Sequence, residues 1–393
     1  MDHVPVYTIN MSRPPAERYI ELVCDFRERI PHLTELFRDV VIASGLPPKP
    51  TTRLARLLLR RLYSHEQTEE IRGISDASGV DMYLLVCLNT LLDLFMGCTS
   101  GAARVQKGSA GNRRQTVTRM LHFRTLDWDM DPLREVVVQL NFVNDAHGPV
   151  IARSITYVGF VGALTAVRPG LSLSLNFRPY HNDSNSRASN VRFHYHRVLV
   201  LLGWRPSISS TLRSILLAPD PSDGRGRLDT ISSIKRRLPS VPSTAAYLTF
   251  SDGDRTLVME KDRVNAYTST SPSFIVITNH DASFDNDPDA ASDIGHAKLA
   301  VSGMNELAKD SQQRRQCIES KWKTAEAAFR GHGNNASQRD GDAAHAMSVT
   351  ESQLVEWVDA WPITNESTHY VTIMDPLVGD FVYLKRYLQP AYE

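Results

Sequence analysis

One cysteine stands where a nucleophile could be placed. Cys98 follows an apolar run, residues 82–96, and a glycine, Gly97, and it lies between a helical and a β-rich half of the chain. The thiolate form of cysteine is a strong nucleophile where its surroundings favour ionisation. A lone cysteine after an apolar run is also a common small buried residue. Its position alone leaves both interpretations open.

A charged pair follows twenty-six residues later. Arg124 and Asp127 are three residues apart in a segment that predicts a strand and a turn. Burying either charge without a partner would cost a large free energy. Taken alone, the two residues could form a structural ion pair.

Sequence motifs of several common sites are absent. The chain contains no Gly-x-x-x-x-Gly-Lys-Ser/Thr, His-Glu-x-x-His, Gly-x-Ser-x-Gly or Gly-x-Gly-x-x-Gly. These absences argue against a phosphate-binding loop, a zinc protease, a serine hydrolase elbow and a dinucleotide site. We expect no cofactor and no metal.

Two acidic runs imitate metal sites. The run that begins at Asp127 resembles a calcium loop, but Pro132 replaces the required glycine and Val138 the bidentate glutamate. We interpret the second run as a solvated loop in preference to a metal site; it contains Asp281, Asp285, Asp287 and Asp289.

Charge and composition set the class of protein. The 393 residues include 44 Lys plus Arg and 44 Asp plus Glu, so the net charge gives no general attraction to nucleic acid. The hydrophobic share of 42% and the charged share of 22% are those of a globular protein with one large domain or two small ones. Four widely spaced cysteines predict neither a disulfide framework nor a four-cysteine zinc site.

The first hundred residues have the three- and four-residue apolar spacing of helices. Residues 54–63, with Arg53 just before them, mix arginines with leucines, which we interpret as a core-facing helix with a solvated rim or, alternatively, as a surface that touches lipid. The run 82–96 is interrupted by Asn89 and Asp93 and is shorter than the roughly 20 residues of a membrane span. We therefore expect it to be buried.

After Cys98 the pattern predicts a sheet-building half. Its strand-like runs are residues 135–143, 150–160, 171–177, 245–250, 273–279 and 370–374, and His194 and His196 alternate along a further predicted strand. The predicted loops are 101–115, 182–190, 219–227 and 331–348, and the predicted helices 297–309, 316–329 and 354–361. Helices and strands without regular alternation favour a layered α+β fold.

Taken together and in order, these segments resemble the acid ceramidase and N-acylethanolamine acid amidase family, which are cysteine hydrolases of the N-terminal nucleophile kind. The similarity extends along most of the chain. The segments that carry it are Val6-Tyr7-Thr8-Ile9-Asn10, Pro14-Pro15, Cys98-Thr99-Ser100, Arg124-x-x-Asp127, residues 157–165, Ser174-Leu175-Asn176, Thr278-Asn279-His280-Asp281 and Arg314-Arg315.

The resemblance implies an αββα fold and a precursor that cuts itself between Gly97 and Cys98. Residues 1–97 would form a helical α-subunit-like segment and residues 98–393 a β-subunit-like catalytic region, and the two would stay associated. Gly97 can take the strained backbone that such a cleavage needs.

The resemblance also implies roles for the site residues. Cys98 would supply the thiol and the new α-amino group, Arg124 would favour the thiolate and Asp127 would hold the amine. Asn279 would donate to the oxyanion. Arg314, in preference to Arg315, would pair with carboxylate or carbonyl groups at the site.

The implied reaction is amide hydrolysis of an N-acyl lipid, such as a ceramide or an N-acylethanolamine, through a thioester acyl-enzyme without a metal. Transient contact with a membrane surface would accompany it. The alternatives are an acyltransferase of the isopenicillin N type and a non-catalytic lipid-binding protein. One departure affects substrate preference, because Phe177 stands where the family has a glutamate between Asn176 and Arg178.

No basic region followed by an apolar run occurs near the amino terminus, so we expect a cytoplasmic protein. The vacuole or lysosome is the alternative, because the family's animal members work in lysosomes.

Overall fold

Two β-sheets packed face to face form the middle of the fold. The computed structural model describes residues 3–30, 47–91, 97–106, 118–179, 181, 186–218, 230–286, 304–333 and 347–392. The strands are β1 Val6–Asn10, β2 Gly97–Gln106, β3 Thr118–Asp127, β4 Val137–Val143, β5 Val150–Tyr157, β6 Thr165–Arg168, β7 Leu171–Phe177, β8 Ala246–Ser251, β9 Thr256–Lys261, β10 Ala266–Ser271, β11 Phe274–Ile277, β12 Val349–Thr350, β13 Thr368–Asp375 and β14 Asp380–Arg386.

The larger sheet has eight strands in the order β1-β4-β5-β6-β7-β8-β9-β10. Its pairs are antiparallel except for β1, which lies parallel to β4. The smaller sheet has the order β11-β2-β3-β13-β14, and β12 also pairs with β2. Strand β2 therefore lies inside this sheet, between β11 and β3.

Helices cover the outer faces of both sheets. They are α1 Ile20–Asp25, α2 Pro48–Leu58, α3 His65–Ser78, α4 Met82–Leu91, α5 Arg187–Leu201, α6 Ile208–Leu216, α7 Ile231–Arg237, α8 Met304–Gly333 and α9 Glu351–Val358. Helices α6 and α7 pack on the eight-stranded sheet, and α8 and α9 pack on β2 of the smaller one. The result is an αββα sandwich.

Local sequence signals explain how these helices begin and end. Helix α3 begins after Ser64, whose hydroxyl accepts a hydrogen bond from the backbone N–H of Gln67. It ends at Gly79, whose φ of 76° is the left-handed conformation that glycine adopts most easily. Helix α9 begins with a capping box formed by Thr350 and Gln353.

Each sheet has its own apolar core on the helix side. Ala103, Val105 and Phe123 of the smaller sheet pack with Ile318 of α8 and Leu354 of α9. The space between the sheets is partly polar. Hydrogen bonds cross it from Ser100 to Asn176, from His122 to Ser172 and Ser174, and from Thr165 to Tyr370.

The predicted α+β class with αββα layers is confirmed. Strands cover most of each predicted β run, and 171–177 is a strand from end to end. The run at 82–96 is a helix as far as Leu91, and its remaining residues lie outside the described part of the chain. Within that part, no helix is both long and apolar enough to cross a bilayer.

Several local predictions are wrong. Residues 101–106 belong to strand β2 and not to a loop, because β2 pairs with β11 on one edge and with β3 on the other. His194 and His196 lie on helix α5 and not on a strand. The segment 1–97 is not purely helical, because Val6–Asn10 forms a strand. The predicted loop at 219–227 lies outside the described residues.

The interpretation of residues 54–63 as a core-facing helix is also wrong for most of its leucines. Helix α2 ends at Leu58, and Leu54, Leu57 and Leu58 are all exposed. Leu59 and Leu62 are buried, but they follow the helix.

Two histidines make stability depend on pH. Burial first, and then the nearby Arg124, lower the pKa of His122 to about 3; burial and Arg134 lower the pKa of His369 to about 3. In the unfolded chain both pKa values return to about 6.5. The unfolded state then binds more protons below pH 6.5, so stability is complete above that pH and falls as pH drops toward 3.

Between pH 6.5 and pH 3, each histidine should lower the free energy of unfolding by about 1.4 kcal/mol for every unit by which the pH falls. Urea unfolding of the protein and of His122→Gln, measured from pH 7 to pH 4, checks this. The variant should show the smaller slope of stability against pH, whatever its stability at pH 7. Equal slopes would contradict the burial of a neutral imidazole at this position.

Candidate active site

Cys98 is the second residue of β2 and is fully buried. In the antiparallel pairing of β2 with β3, Gly97 lies opposite Asp127, Cys98 opposite Leu126 and Ser100 opposite Arg124. Side chains alternate along a strand, so Arg124 shares the face of Cys98 and Asp127 the face of Gly97. The spacing of three residues thus sends the guanidinium toward the thiol and the carboxylate toward the peptide bond before Cys98.

The backbone nitrogen of Cys98 is held by Asn279. Its N–H donates to Asn279 Oδ1 at 2.7 Å, and Arg314 Nη2 donates to the same oxygen at 2.9 Å. Two donors on one oxygen fix the orientation of the amide. Asn279 Nδ2 donates to the backbone carbonyl of Phe177 at 2.8 Å.

Asp127 has one engaged oxygen and one oxygen without a hydrogen bond. Thr368 Oγ1 donates to Asp127 Oδ1 at 2.7 Å. Oδ2 is buried without a hydrogen-bond donor and lies 3.8 Å from Arg314 Nε. Burial raises the pKa of this carboxyl, while Arg314 and Thr368 act in the opposite direction. The second oxygen can therefore accept from a cation placed near Gly97.

Arg124 is fully buried and forms no ion pair with a carboxylate of the described residues. Its Nη1 donates to Ser100 Oγ at 3.0 Å and to Asn176 Oδ1. These partners are neutral, so they orient the guanidinium without cancelling its charge.

The charges around the thiol have opposite effects on its pKa. Burial raises the pKa of Cys98, the positive charge of Arg124 lowers it, Asp127 raises it and Arg314 lowers it. Burial has the largest effect, so the thiol pKa lies above its ordinary value in this uncleaved chain. Two guanidiniums against one carboxylate leave a net positive charge that a thiolate would neutralise.

Helix α8 positions Arg314. Ser311, one turn earlier on the same face, accepts from the backbone N–H of Asn279 at 2.7 Å and bonds to His280 Nδ1 at 2.7 Å. The neighbouring Arg315 instead donates to Glu319 at 3.0 Å. The geometry thus brings Arg314, and not Arg315, to the nucleophile.

All five predicted site residues meet at one place, namely Cys98, Arg124, Asp127, Asn279 and Arg314. Sequence reasoning did not assign roles to Ser100, Asn176, Ser311 and Thr368, which orient them. The first two belong to segments that carry the family resemblance. Ser311 could have been found from its helical spacing to Arg314.

The acidic run has a structural partner. Asp281 accepts two hydrogen bonds from Arg178, at 2.9 and 2.7 Å, and one from Tyr247 at 3.0 Å. Asp287 and Asp289 lie outside the described residues. Across the described ranges, no three His, Cys, Asp or Glu side chains are placed to hold a metal ion.

A buried thiol at the start of an inner strand, with its own nitrogen held beside a carboxylate, is the arrangement implied by the resemblance to N-terminal nucleophile cysteine hydrolases. Sequence comparison finds similarity to the same family of proteins. Residues 2–63 match the family model described as the beta subunit of N-acylethanolamine-hydrolyzing acid amidase. The matched residues precede Cys98, so they lie in the segment 1–97 that we predicted to be α-subunit-like, although the family model calls its own piece a beta subunit.

Individual proteins of that family are similar to this chain. The chain is 30% identical over 183 residues to the Caenorhabditis elegans N-acylethanolamine-hydrolyzing acid amidase, covering 44% of this chain and 47% of that protein. It is 28% identical over 200 residues to the acid ceramidase of Mus musculus and 26% identical over 194 residues to that of Homo sapiens, covering 44% of this chain and 46% of each relative. The predicted resemblance to the N-acylethanolamine acid amidase and acid ceramidase family is confirmed.

These matches span about half the length of the curated relatives. Among solved structures, that of the C. elegans N-acylethanolamine-hydrolyzing acid amidase ortholog matches with a TM-score of 0.46 and 21% identity, over 74% of this chain and 100% of that one.

Proposed function

We propose that the chain is the precursor of an N-acyl lipid amide hydrolase, ceramidase-like in mechanism, that cuts itself between Gly97 and Cys98. The observation that carries the proposal is the hydrogen bond from the Cys98 N–H to Asn279, with an oxygen of Asp127 that accepts no hydrogen bond on the strand opposite Gly97. The nitrogen that must become the catalytic amine is already held in place.

In the proposed cleavage, the Cys98 thiolate attacks the carbonyl carbon of Gly97. The C–N bond breaks, the nitrogen takes up a proton and a thioester joins Gly97 to Cys98. Water then opens the thioester, which leaves a carboxyl group on Gly97 and a free thiol and amine on Cys98. The amine can accept the thiol proton in later turnovers, because an α-amino group has a pKa of about 7.7–8.0.

In the proposed turnover, the thiolate attacks the amide carbonyl of the lipid and the Cys98 α-ammonium protonates the leaving amine. Water attacks the resulting thioester and releases the fatty acid. Arg124 stabilises the thiolate and Asp127 holds the α-ammonium by a charge-assisted hydrogen bond. Asn279 Oδ1 accepts from the Cys98 nitrogen, and its Nδ2 donates to Phe177, so in this geometry Asn279 holds the amine instead of donating to the oxyanion as the resemblance implied. Arg314 would supply a donor to the oxyanion.

The two pieces would remain together after cleavage. Strand β1 is paired along its length with β4, which lies beyond the cut. Glu70 of α3 forms a buried ion pair with Arg213 of α6, and its two carboxylate oxygens accept hydrogen bonds from Nη1 and Nη2 of the guanidinium. Removing one partner of such a pair is strongly destabilising, so separation of the pieces would be costly.

Fatty acid release tests the activity. Purified, cleaved protein is incubated with a ceramide and with an N-acylethanolamine, with Cys98→Ala as the inactive control. We expect release from at least one substrate by the wild type and none by the variant. No release from either substrate by fully cleaved protein would contradict the proposed activity, and transfer to an added amine that outruns hydrolysis would favour an acyltransferase.

We also propose that helices α2 and α5 contact the surface of an anionic membrane. Large apolar side chains are exposed on both; they are Leu54, Leu57, Leu58 and Tyr63 on or just after α2, and Val191, Tyr195, Val198 and Trp204 on or just after α5. The two groups are neighbours, because Gly203, beside Trp204, packs closely against Arg61. A Cβ added to Gly203 would lie only 2.6 Å from the backbone oxygen of Arg61.

The charge of this apolar surface supports a lipid partner. Residues 48–64 contain five Lys or Arg and residues 186–207 contain four Arg, with no Asp or Glu in either segment. Exposed apolar groups with a basic rim suit the boundary between acyl chains and anionic headgroups. The alternative of a lipid-touching surface, left open by the sequence, is therefore the one we propose.

Vesicle binding checks this surface. We expect Tyr195→Glu to weaken binding to vesicles that contain phosphatidylserine by about tenfold. The substitution replaces an apolar ring that would enter the membrane with a carboxylate that the anionic headgroups repel. Tyr267→Glu is the matched control, since Tyr267 is similarly exposed, at 65% against 60%, but lies on β10. Equal binding by both variants would contradict the proposal. The cytoplasmic location remains a sequence prediction.

A further inference from the structure

A cavity of about 210 Å³ lies beside the proposed cleavage point. Its inner wall includes Gly97, Asp127 and Arg314, and its outer wall includes the exposed carboxylates of Asp129 and Glu366. It is smaller than the roughly 300–1,000 Å³ of sites for drug-sized ligands. It therefore suits a small group.

The lining of the cavity is strongly polar and mainly negative. Of the residues that the structure describes, four carboxylates border it, from Asp127, Asp129, Asp310 and Glu366, against one guanidinium, that of Arg314. The three outer carboxylates form no ion pair with a described residue. Among the described residues of the lining, the apolar ones are two tryptophans and a proline, with no aliphatic side chain. Such a lining disfavours an alkyl chain.

Two buried polar atoms of residues that line the cavity lack hydrogen-bond partners. They are Asp127 Oδ2 and Trp128 Nε1, and both side chains are almost completely buried. An acceptor and a donor without partners are costly unless a ligand or water pairs with them. Asp127 lies opposite Gly97 in the wall, so its Oδ2 points to a ligand with a donor group.

The proposed mechanism tells which half of the substrate would lie here. The α-ammonium of Cys98 protonates the leaving amine, and it forms where the Gly97–Cys98 bond now meets the cavity. The leaving amine must therefore come within hydrogen-bond reach of that end of the cavity. The acyl chain, which this lining disfavours, would extend from the Cys98 sulfur in another direction.

We propose that this cavity receives the amine half of the substrate, and that it selects small amines with hydroxyl or ammonium groups over amines with a carboxylate or a long alkyl chain. This inference rests on the proposed amidase function. The outer carboxylates attract a cationic group, and they also attract the ammonium product after the amide bond is broken.

The test uses four amides of one fatty acid, with ethanolamine, ethylenediamine, glycine and a sphingoid base as the amine. We expect kcat/KM for the ethanolamine and ethylenediamine amides to exceed that for the glycine amide by about tenfold or more, and the sphingoid amide to be a poor substrate. In the double variant Asp310→Asn/Glu366→Gln, the preference for ethylenediamine over glycine should fall by up to about fivefold per carboxylate removed. Asp254→Asn, an exposed carboxylate outside the cavity, is the matched control and should keep the preference.

The outcomes separate the two proposals. Hydrolysis of none of the four amides would contradict the amidase function itself. Hydrolysis with no charge preference, with the sphingoid amide among the best substrates, or with a preference unchanged in the double variant would overturn the assignment of the cavity and leave the amidase function standing.

Discussion

Cys98→Ala is expected to abolish both cleavage and amide hydrolysis, while wild-type protein separates on a denaturing gel into two bands. Cleavage before Cys98 divides the 44.0 kDa chain into 97 and 296 residues, or about 11 and 33 kDa. The alanine variant has no nucleophile to attack Gly97, so it should remain a single band. The substitution removes only a sulfur atom from a fully buried position, so the fold should persist.

Cys98→Ser separates the requirement for a nucleophile from the requirement for a thiol. A hydroxyl ionises much less readily than a thiol, so we expect slow or incomplete cutting. Arg124 and Arg314 favour the anionic form of the side chain at position 98. Their charges would not fully compensate for the much weaker acidity of a hydroxyl. Cleavage of Cys98→Ala at the wild-type rate would show that Cys98 does not cut the chain.

Asp127→Asn is expected to lower the rate of hydrolysis by about 10² to 10⁴, which is the usual contribution of positioned acid–base catalysis. The substitution keeps the size of the side chain and its bond from Thr368, but it removes the charge that holds the α-ammonium. Initial rates with the best substrate, measured on the cleaved fraction, check the effect.

The control for this prediction is an equal change of charge away from the site. Asp254→Asn replaces a carboxylate whose side chain is 72% exposed, and it should leave the rate unchanged. If Asp127→Asn cleaved and hydrolysed at the wild-type rate, Asp127 would be a structural partner of Arg314 and Thr368 alone.

The site could be predicted from the sequence because its residues belong to short motifs that occur in a fixed order. Cys98, Arg124 and Asp127 lie on two paired strands, so their spacing along the chain translates directly into neighbouring positions. Asn279 and Arg314 come from distant segments, and only the family resemblance connected them to Cys98.

The errors have physical causes. Residues 101–106 contain glycine and alanine, which are weak signals for a strand, and pairing on both edges overrides that weakness. His194 and His196 alternate in polarity with their neighbours, but a serine cap at Ser186 begins a helix there. Strand β1 is parallel to β4, which lies far along the chain, and local patterns do not reveal such a pairing.

The exposure of Leu54 and Leu57 is a different kind of failure. Apolar residues at helical spacing normally predict a buried face, and the burial of such a face depends on what the fold places opposite it. Here no described element covers these two side chains, and the surrounding charges are all basic within residues 48–64. The pattern was correct, but among the described residues no element lies opposite it, which is why we propose a membrane surface there.

Determining the amino-terminal residue of the large fragment tests the central claim most directly. Intact mass analysis and amino-terminal sequencing of active wild-type protein should give one fragment that begins with Cys98 and another that ends with Gly97. An active protein that stays in one piece, or whose large fragment begins at another residue, would show that Cys98 is not an N-terminal nucleophile, and the roles of Asp127 and Asn279 would fall with it.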